Sequence, residues 1–152
     1  MNLFLKKVAL LTMTLVLSYN ALANETQCDN KEFSLQLLGS GGPISDDQRA
    51  SSGELIWWQG KPFMLIDAGG GTYLRFGQSG AKLEDVTLIG ITHFHTDHVA
   101  DLPAILKGGY FFSHQKDILL FGPERGGAFP SMTEFFEDLF SQKGAFAYLS
   151  GL

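Results

Sequence analysis

Three of the four histidines in this chain of 152 residues fall within one short stretch, Thr92-His93-Phe94-His95-Thr96-Asp97-His98, together with one carboxylate. The stretch directly follows Val86-Thr87-Leu88-Ile89-Gly90-Ile91, an apolar run that reads as a buried strand. In extended chain alternate side chains point the same way, so His93, His95 and Asp97 are expected to converge on one side. His98 breaks that parity, and joins the cluster only if the chain turns after Asp97 into a helix beginning near Val99-Ala100-Asp101-Leu102. Imidazole and carboxylate together suit zinc, iron or manganese. Four ligands from one short loop do not easily all face a single ion, so two neighbouring divalent metals are expected, zinc first and manganese or iron as alternatives. His114, in the polar stretch Ser113-His114-Gln115-Lys116-Asp117, has no ligand partner beside it and reads as an ordinary histidine.

The first residues read as an address. Lys6-Lys7 supply a positive start, Val8 to Leu17 an apolar core, and Ala21-Leu22-Ala23 a cleavage site, the secretory pattern. Residues 1–23 are therefore expected to be a signal peptide cut after Ala23, leaving residues 24–152 as the working domain in the periplasm or outside the cell. The apolar run is shorter than the ~20 residues that a membrane span needs, so no stable membrane anchor is expected. The single cysteine, Cys28, rules out an internal disulfide, and the core must stand on apolar packing and metal. Loss of residues 1–23 removes Lys6 and Lys7 and no acid, taking the formal charge from −5 to −7. A nucleic-acid partner usually needs a basic face, and no cluster of Lys or Arg stands out, so the expectation is a small-molecule substrate and no nucleic acid.

Phe33-Ser34-Leu35-Gln36-Leu37 alternates apolar and polar, as a half-buried strand does. It enters Leu38-Gly39-Ser40-Gly41-Gly42-Pro43, which is either a plain strand-ending turn or a loop that lets backbone approach a ligand. Glu54 to Trp58, the turn Gln59-Gly60-Lys61-Pro62 and Phe63 to Asp67 form a strand-turn-strand unit. Its second strand is apolar on both parities, as in a strand covered on both faces. Asp67 at its end is either a turn cap before Gly69-Gly70-Gly71 or a buried carboxylate with a partner. Further on, a short helix is expected over Thr72 to Phe76, a helix over Asp101 to Leu106 ended by Gly108-Gly109, Tyr110-Phe111-Phe112 in the core ahead of lining the pocket, a strand over Asp117 to Phe121, and an amphipathic helix over Met132 to Phe140. Strands alternate with helices, which makes the chain an α/β domain.

His93-x-His95-x-Asp97-His98 resembles the H-x-H-x-D-H signature of the metallo-β-lactamase-fold hydrolases, and Leu65-Ile66-Asp67-Ala68-Gly69 is similar to that superfamily's first motif. The Leu38 to Pro43 loop and Ala100-Asp101-Leu102-Pro103 look more like the phosphodiesterase branch, which includes tRNase Z, cyclic-nucleotide phosphodiesterases and arylsulfatase-like enzymes. The lactamase and lactonase branches commonly carry Gly-Gly shortly after the motif, and that pair is absent here. The resemblance implies the N-terminal half of a metallo-β-lactamase-type αββα sandwich, incomplete at its C-terminus. An apolar sheet face would then lie uncovered unless more chain, or a homodimer, covers it. It also implies His93 and His95 on one metal, Asp97 and His98 on the second, a bridging hydroxide as nucleophile, and Asp67 orienting the histidine loop. Asp97 and Asp67 are the candidate catalytic carboxylates. The implied activity is an exported dinuclear hydrolase of a phosphodiester or sulfate ester, ahead of a lactam or lactone, with a non-catalytic metal-binding half-domain as the alternative.

Overall fold

The computed structural model describes residues 32–44, 46–111 and 117–151. The expected leader over residues 1–23, and with it Cys28, Phe112 and His114, lie outside the described residues. Among those described, no helix is long and apolar enough to cross a membrane.

Five strands form one sheet in the order β1 (Phe33–Gly39), β2 (Gly53–Trp58), β3 (Lys61–Ile66), β4 (Leu88–Gly90) and β5 (Leu119–Phe121). The first three run antiparallel, and β3, β4 and β5 are parallel. The β2–β3 turn is tighter than its sequence suggests. Gln59 and Gly60 alone make it, at φ 51° and 77°, the two-residue geometry whose twist matches paired strands. Lys61 and Pro62 therefore belong to β3 rather than to the turn.

Parallel neighbours need a crossover. Helix α1 (Thr72–Gln78) and a 3-10 turn (Leu83–Asp85) link β3 to β4. Helices α2 (Thr96–Val99) and α3 (Leu102–Gly109) lead from β4 towards β5. Because β3, β4 and β5 follow one another in one direction, crossovers of the same hand put these helices on the same face. That face is the core: Leu55, Leu65 and Ile89, adjacent on β2, β3 and β4, pack in one buried cluster with Phe76 of α1 and Leu102 and Ile105 of α3.

The opposite face is different. Leu35, Ile56, Met64, Leu88 and Leu119 stand in register across all five strands, yet Leu35 is 63% exposed and Leu119 61%. The expectation that β3 is covered on both faces is thus corrected. Leu65 is fully buried while Met64 and Ile66 are only partly so, because the described helices all pack on the Leu65 side. Glu54 is the one acid in the next row, between Leu37 and Ile66. Burial first, and the Asp67 carboxylate second, push its pKa up.

Two other expectations shift. α3 runs through Gly108 and Gly109 instead of stopping before them; the Tyr73 hydroxyl sits where a side chain on Gly108 would have to go. Tyr110 and Phe111 are not core residues, being 54% and 72% exposed, with the Lys107 ammonium lying over both rings.

Helix α4 (Met132–Phe140) matches its sequence reading, and its start shows why. The Ser131 hydroxyl accepts from the Glu134 N–H and the Glu134 carboxylate accepts from the Ser131 N–H, a capping box. Arg125 donates to the same carboxylate, and these bonds hold the Glu134 pKa down from its ordinary 4.5 to about 2, with the Arg125 bond the main cause. A group whose pKa is depressed by folding contributes stability above its unfolded pKa and loses it as pH falls towards the folded one. Acid unfolding between pH 4.5 and about 2 is therefore expected to weaken in Glu134→Gln, read as a smaller drop in the urea midpoint across that window. A second pair of variants reports on the two sheet faces. Leu55→Ala should cost ~2–5 kcal/mol, and Leu35→Ala within about 0.5 kcal/mol, both from urea unfolding. An equal cost would mean that the Leu35 face is covered in the full-length protein.

Candidate metal centre

The site is built at the C-terminal ends of β3 and β4. Asp67 follows β3 with φ 56°, a left-handed conformation that aspartate tolerates better than most residues. It remains stitched to the sheet, donating its N–H to the Gly90 carbonyl at 2.8 Å. Its side chain is 2% exposed, and such a carboxylate needs partners. It has three. Oδ1 accepts from the Thr92 N–H at 2.7 Å. Oδ2 accepts from the Thr92 hydroxyl at 2.8 Å and meets His98 Nδ1 at 2.6 Å.

These bonds fix the histidine tautomers. A carboxylate only accepts, so His98 Nδ1 carries the hydrogen and Nε2 keeps its lone pair. The single hydroxyl hydrogen of Thr92 goes to Asp67. The Thr92 oxygen can then accept from His93 Nδ1, 3.1 Å away, which leaves His93 Nε2 unprotonated. One buried carboxylate thereby leaves two histidine nitrogens with free lone pairs, the arrangement by which such partners orient histidines at metal sites.

The loop does not stay extended, and here the sequence expectation is corrected. Helix α2 begins at Thr96 rather than near Val99, with His95 as its N-cap, so Asp97 lies in its first turn. His93, His95 and Asp97 do not converge by strand alternation. The donors meet in two pairs: His93 Nε2 with His95 Nδ1 at 3.1 Å, and His98 Nε2 with Asp97 Oδ2 at 3.7 Å. The His93 and His98 rings lie side by side, centroids 3.9 Å apart. Two ligands of a tetrahedral ion with bonds of about 2.0–2.1 Å sit roughly 3.3 Å apart. Each pair is close to that spacing, so the donor chemistry fits two ions. Among the described residues no three His, Cys, Asp or Glu side chains gather round one point. Each ion therefore needs donors beyond its pair.

The loop is held from below by backbone. Ala68 donates to the His98 carbonyl and accepts from the Asp101 N–H, both at 2.8 Å. A side chain on Gly69 would fall 2.0 Å from the Asp97 carbonyl oxygen, so only glycine allows this approach. The Asp101 carboxylate accepts from the Tyr73 N–H at 2.9 Å and ties α1 to the loop.

The Leu38 to Pro43 loop reaches the same region through Ser51, whose N–H donates to the Gly70 carbonyl. Gly39 and Ser40 line a pocket of about 280 Å³ with Ala50 and the guanidinium-bearing Arg49 and Arg75. Sequence reasoning gave no role to Thr92, although it directly precedes the motif, and it missed Phe129. The Phe129 ring lies 5.3 Å from that of His95, but 34 positions along the chain no spacing rule links the two.

Residues 33–126 match the family model described as Anti-Pycsar protein Apyc1. The chain belongs to this family. Beyond the Apyc1 family itself, the chain is similar to Ribonuclease Z of Mycobacterium sp. (strain KMS), 35% identical over 89 residues, which covers 57% of this chain and 31% of that protein. Ribonuclease Z of Methanopyrus kandleri is 33% identical over 97 residues, covering 64% and 34%. Among solved structures, human tRNase Z, short form, superposes with a TM-score of 0.52 at 30% identity, covering 59% of this chain and 34% of that one. The metallo-β-lactamase fold protein YhfI from Bacillus subtilis gives 0.57 at 20% identity, covering 73% and 42%, a likeness of fold. The fold is thus that of the metallo-β-lactamase proteins. The matched part spans about a third of the length of these curated relatives.

The expectation of a small-molecule ester substrate and no nucleic acid is overturned, since the relatives are ribonucleases. It rested on net charge, which averages over the whole surface. A phosphodiester needs positive charge only locally, which a net charge does not register.

Asp67→Asn tests the orienting carboxylate. Asparagine also tolerates the backbone conformation but cannot accept all three bonds. Calorimetric titration of the full-length protein should show zinc affinity lowered roughly 10–100-fold.

Proposed function

We propose that the protein is a metal-dependent phosphodiester hydrolase acting on a nucleotide phosphodiester, RNA included. The single observation that carries this is the Asp67 carboxylate, which bonds Thr92 and His98 and leaves one unprotonated histidine nitrogen in each of the two donor pairs. The ribonuclease relatives support a phosphodiester ahead of a sulfate ester.

His93 and His95 would hold one ion, and Asp97 and His98 a second, zinc first by donor chemistry. Two such ions, when bound, supply Lewis-acid charge and lower the pKa of water towards ~7. Asp67 and Thr92 hold the imidazoles so that little reorganisation is needed when the site fills. The Asp97 oxygen not turned towards His98 is the acceptor for the proton that leaves the attacking water. Donors beyond the described pairs complete each site. Export is the accompanying proposal, supported by the Lys6 to Ala23 pattern; N-terminal sequencing of the exported protein should then begin at Asn24.

Full-length protein supplied with zinc or manganese is expected to cleave a dinucleotide phosphodiester and a short RNA. His95→Ala should fall to the uncatalysed background with an unchanged circular dichroism spectrum. Intact activity in that variant, or no cleavage by the parent with either metal, would falsify the reading.

A further inference from the structure

Phe129 lies on the loop between β5 and α4, and its position is fixed from both sides. Gly126 and Phe129 exchange backbone hydrogen bonds, N–H to carbonyl at 3.2 and 3.0 Å, closing a turn in which Gly127 takes φ 56°. Two residues later the capped start of α4 anchors the chain again. A phenylalanine held so firmly would ordinarily serve the core, but Phe129 is 41% exposed and stands outside the buried cluster. Phe94 and Phe135 stack with each other instead, centroids 4.6 Å apart.

The neighbour of Phe129 is His95. The two rings are 66° apart in plane, so His95 covers at most one face of Phe129. A flat apolar surface is left beside a proposed metal-binding histidine, where a scissile phosphodiester would lie. Nucleobases stack on such aromatic faces with little regard to sequence, because every base has a π-face.

We propose that Phe129 is a stacking platform for the nucleobase adjoining the scissile phosphodiester. The inference rests on the phosphodiesterase reading for its location, but binding measurements test it separately. Full-length protein would be titrated calorimetrically with uridine 5′-monophosphate, adenosine 5′-monophosphate and the base-free ribose 5-phosphate. The parent should bind the two nucleotides at least about tenfold more tightly than the sugar phosphate. Phe129→Leu keeps apolar bulk against His95 and should lose that preference, whereas Phe129→Tyr should keep it. Loss in Phe129→Leu should also appear as a raised KM for a dinucleotide.

No base preference in the parent, or a preference undiminished in Phe129→Leu, overturns the platform, even if phosphodiester cleavage goes on. A preference that follows Phe129 in a protein that cleaves no phosphodiester upholds the platform and removes the hydrolase reading instead.

Discussion

A buried carboxylate is costly unless each of its oxygens is satisfied, and Asp67 meets that demand through the histidine loop. Its partners are the Thr92 N–H and hydroxyl and His98 Nδ1, so the fold cannot relax this aspartate without letting go of the histidine loop. The same bonds decide which nitrogens of His93 and His98 carry hydrogen. Structural necessity and donor preparation are here one set of contacts. The left-handed backbone at Asp67 belongs with them, since strained conformations persist where the surroundings over-determine them.

Around this point the sheet divides its two faces unequally. The row through Leu55, Leu65 and Ile89 is closed by α1 and α3, while the row from Leu35 through Met64 to Leu119 is apolar and open at its edges. Between those edges Ile56, Met64 and Leu88 are only partly buried. Glu54 sits in the open face with its carboxyl pKa raised by partial burial. The metal loop leaves the sheet at the strand ends, where parallel α/β sheets commonly offer a crevice for ligands.

Local arrangement also matters more than the totals. An acidic chain places Arg75, and Arg49 with its partner Asp47, round one pocket beside the Gly39-Ser40 turn. Net charge therefore says little about whether a phosphodiester can be approached, which is why the composition argument against nucleic acid failed. A short-range field depends on which few side chains the fold brings together.

The sequence by itself determined the α/β character, the hairpin, the amphipathic α4, and the histidine-rich motif after a strand, because each is a local pattern of period or spacing. Asp67 was legible as a residue in need of a partner, since a carboxylate ending an apolar strand is conspicuous. The family resemblance pointed it at the histidine loop, and tertiary structure decided which groups it bonds there, the Thr92 N–H and hydroxyl and His98 Nδ1. Tertiary structure decided, too, that His95 and Asp97 belong to a helix start rather than an extended run, that β3 is covered on one face among the described residues, and that Phe129 stands against His95. These contacts join residues far apart in the chain or turn on which side of a sheet is covered. No periodicity records such facts, because they are set by packing among elements rather than by preferences within one.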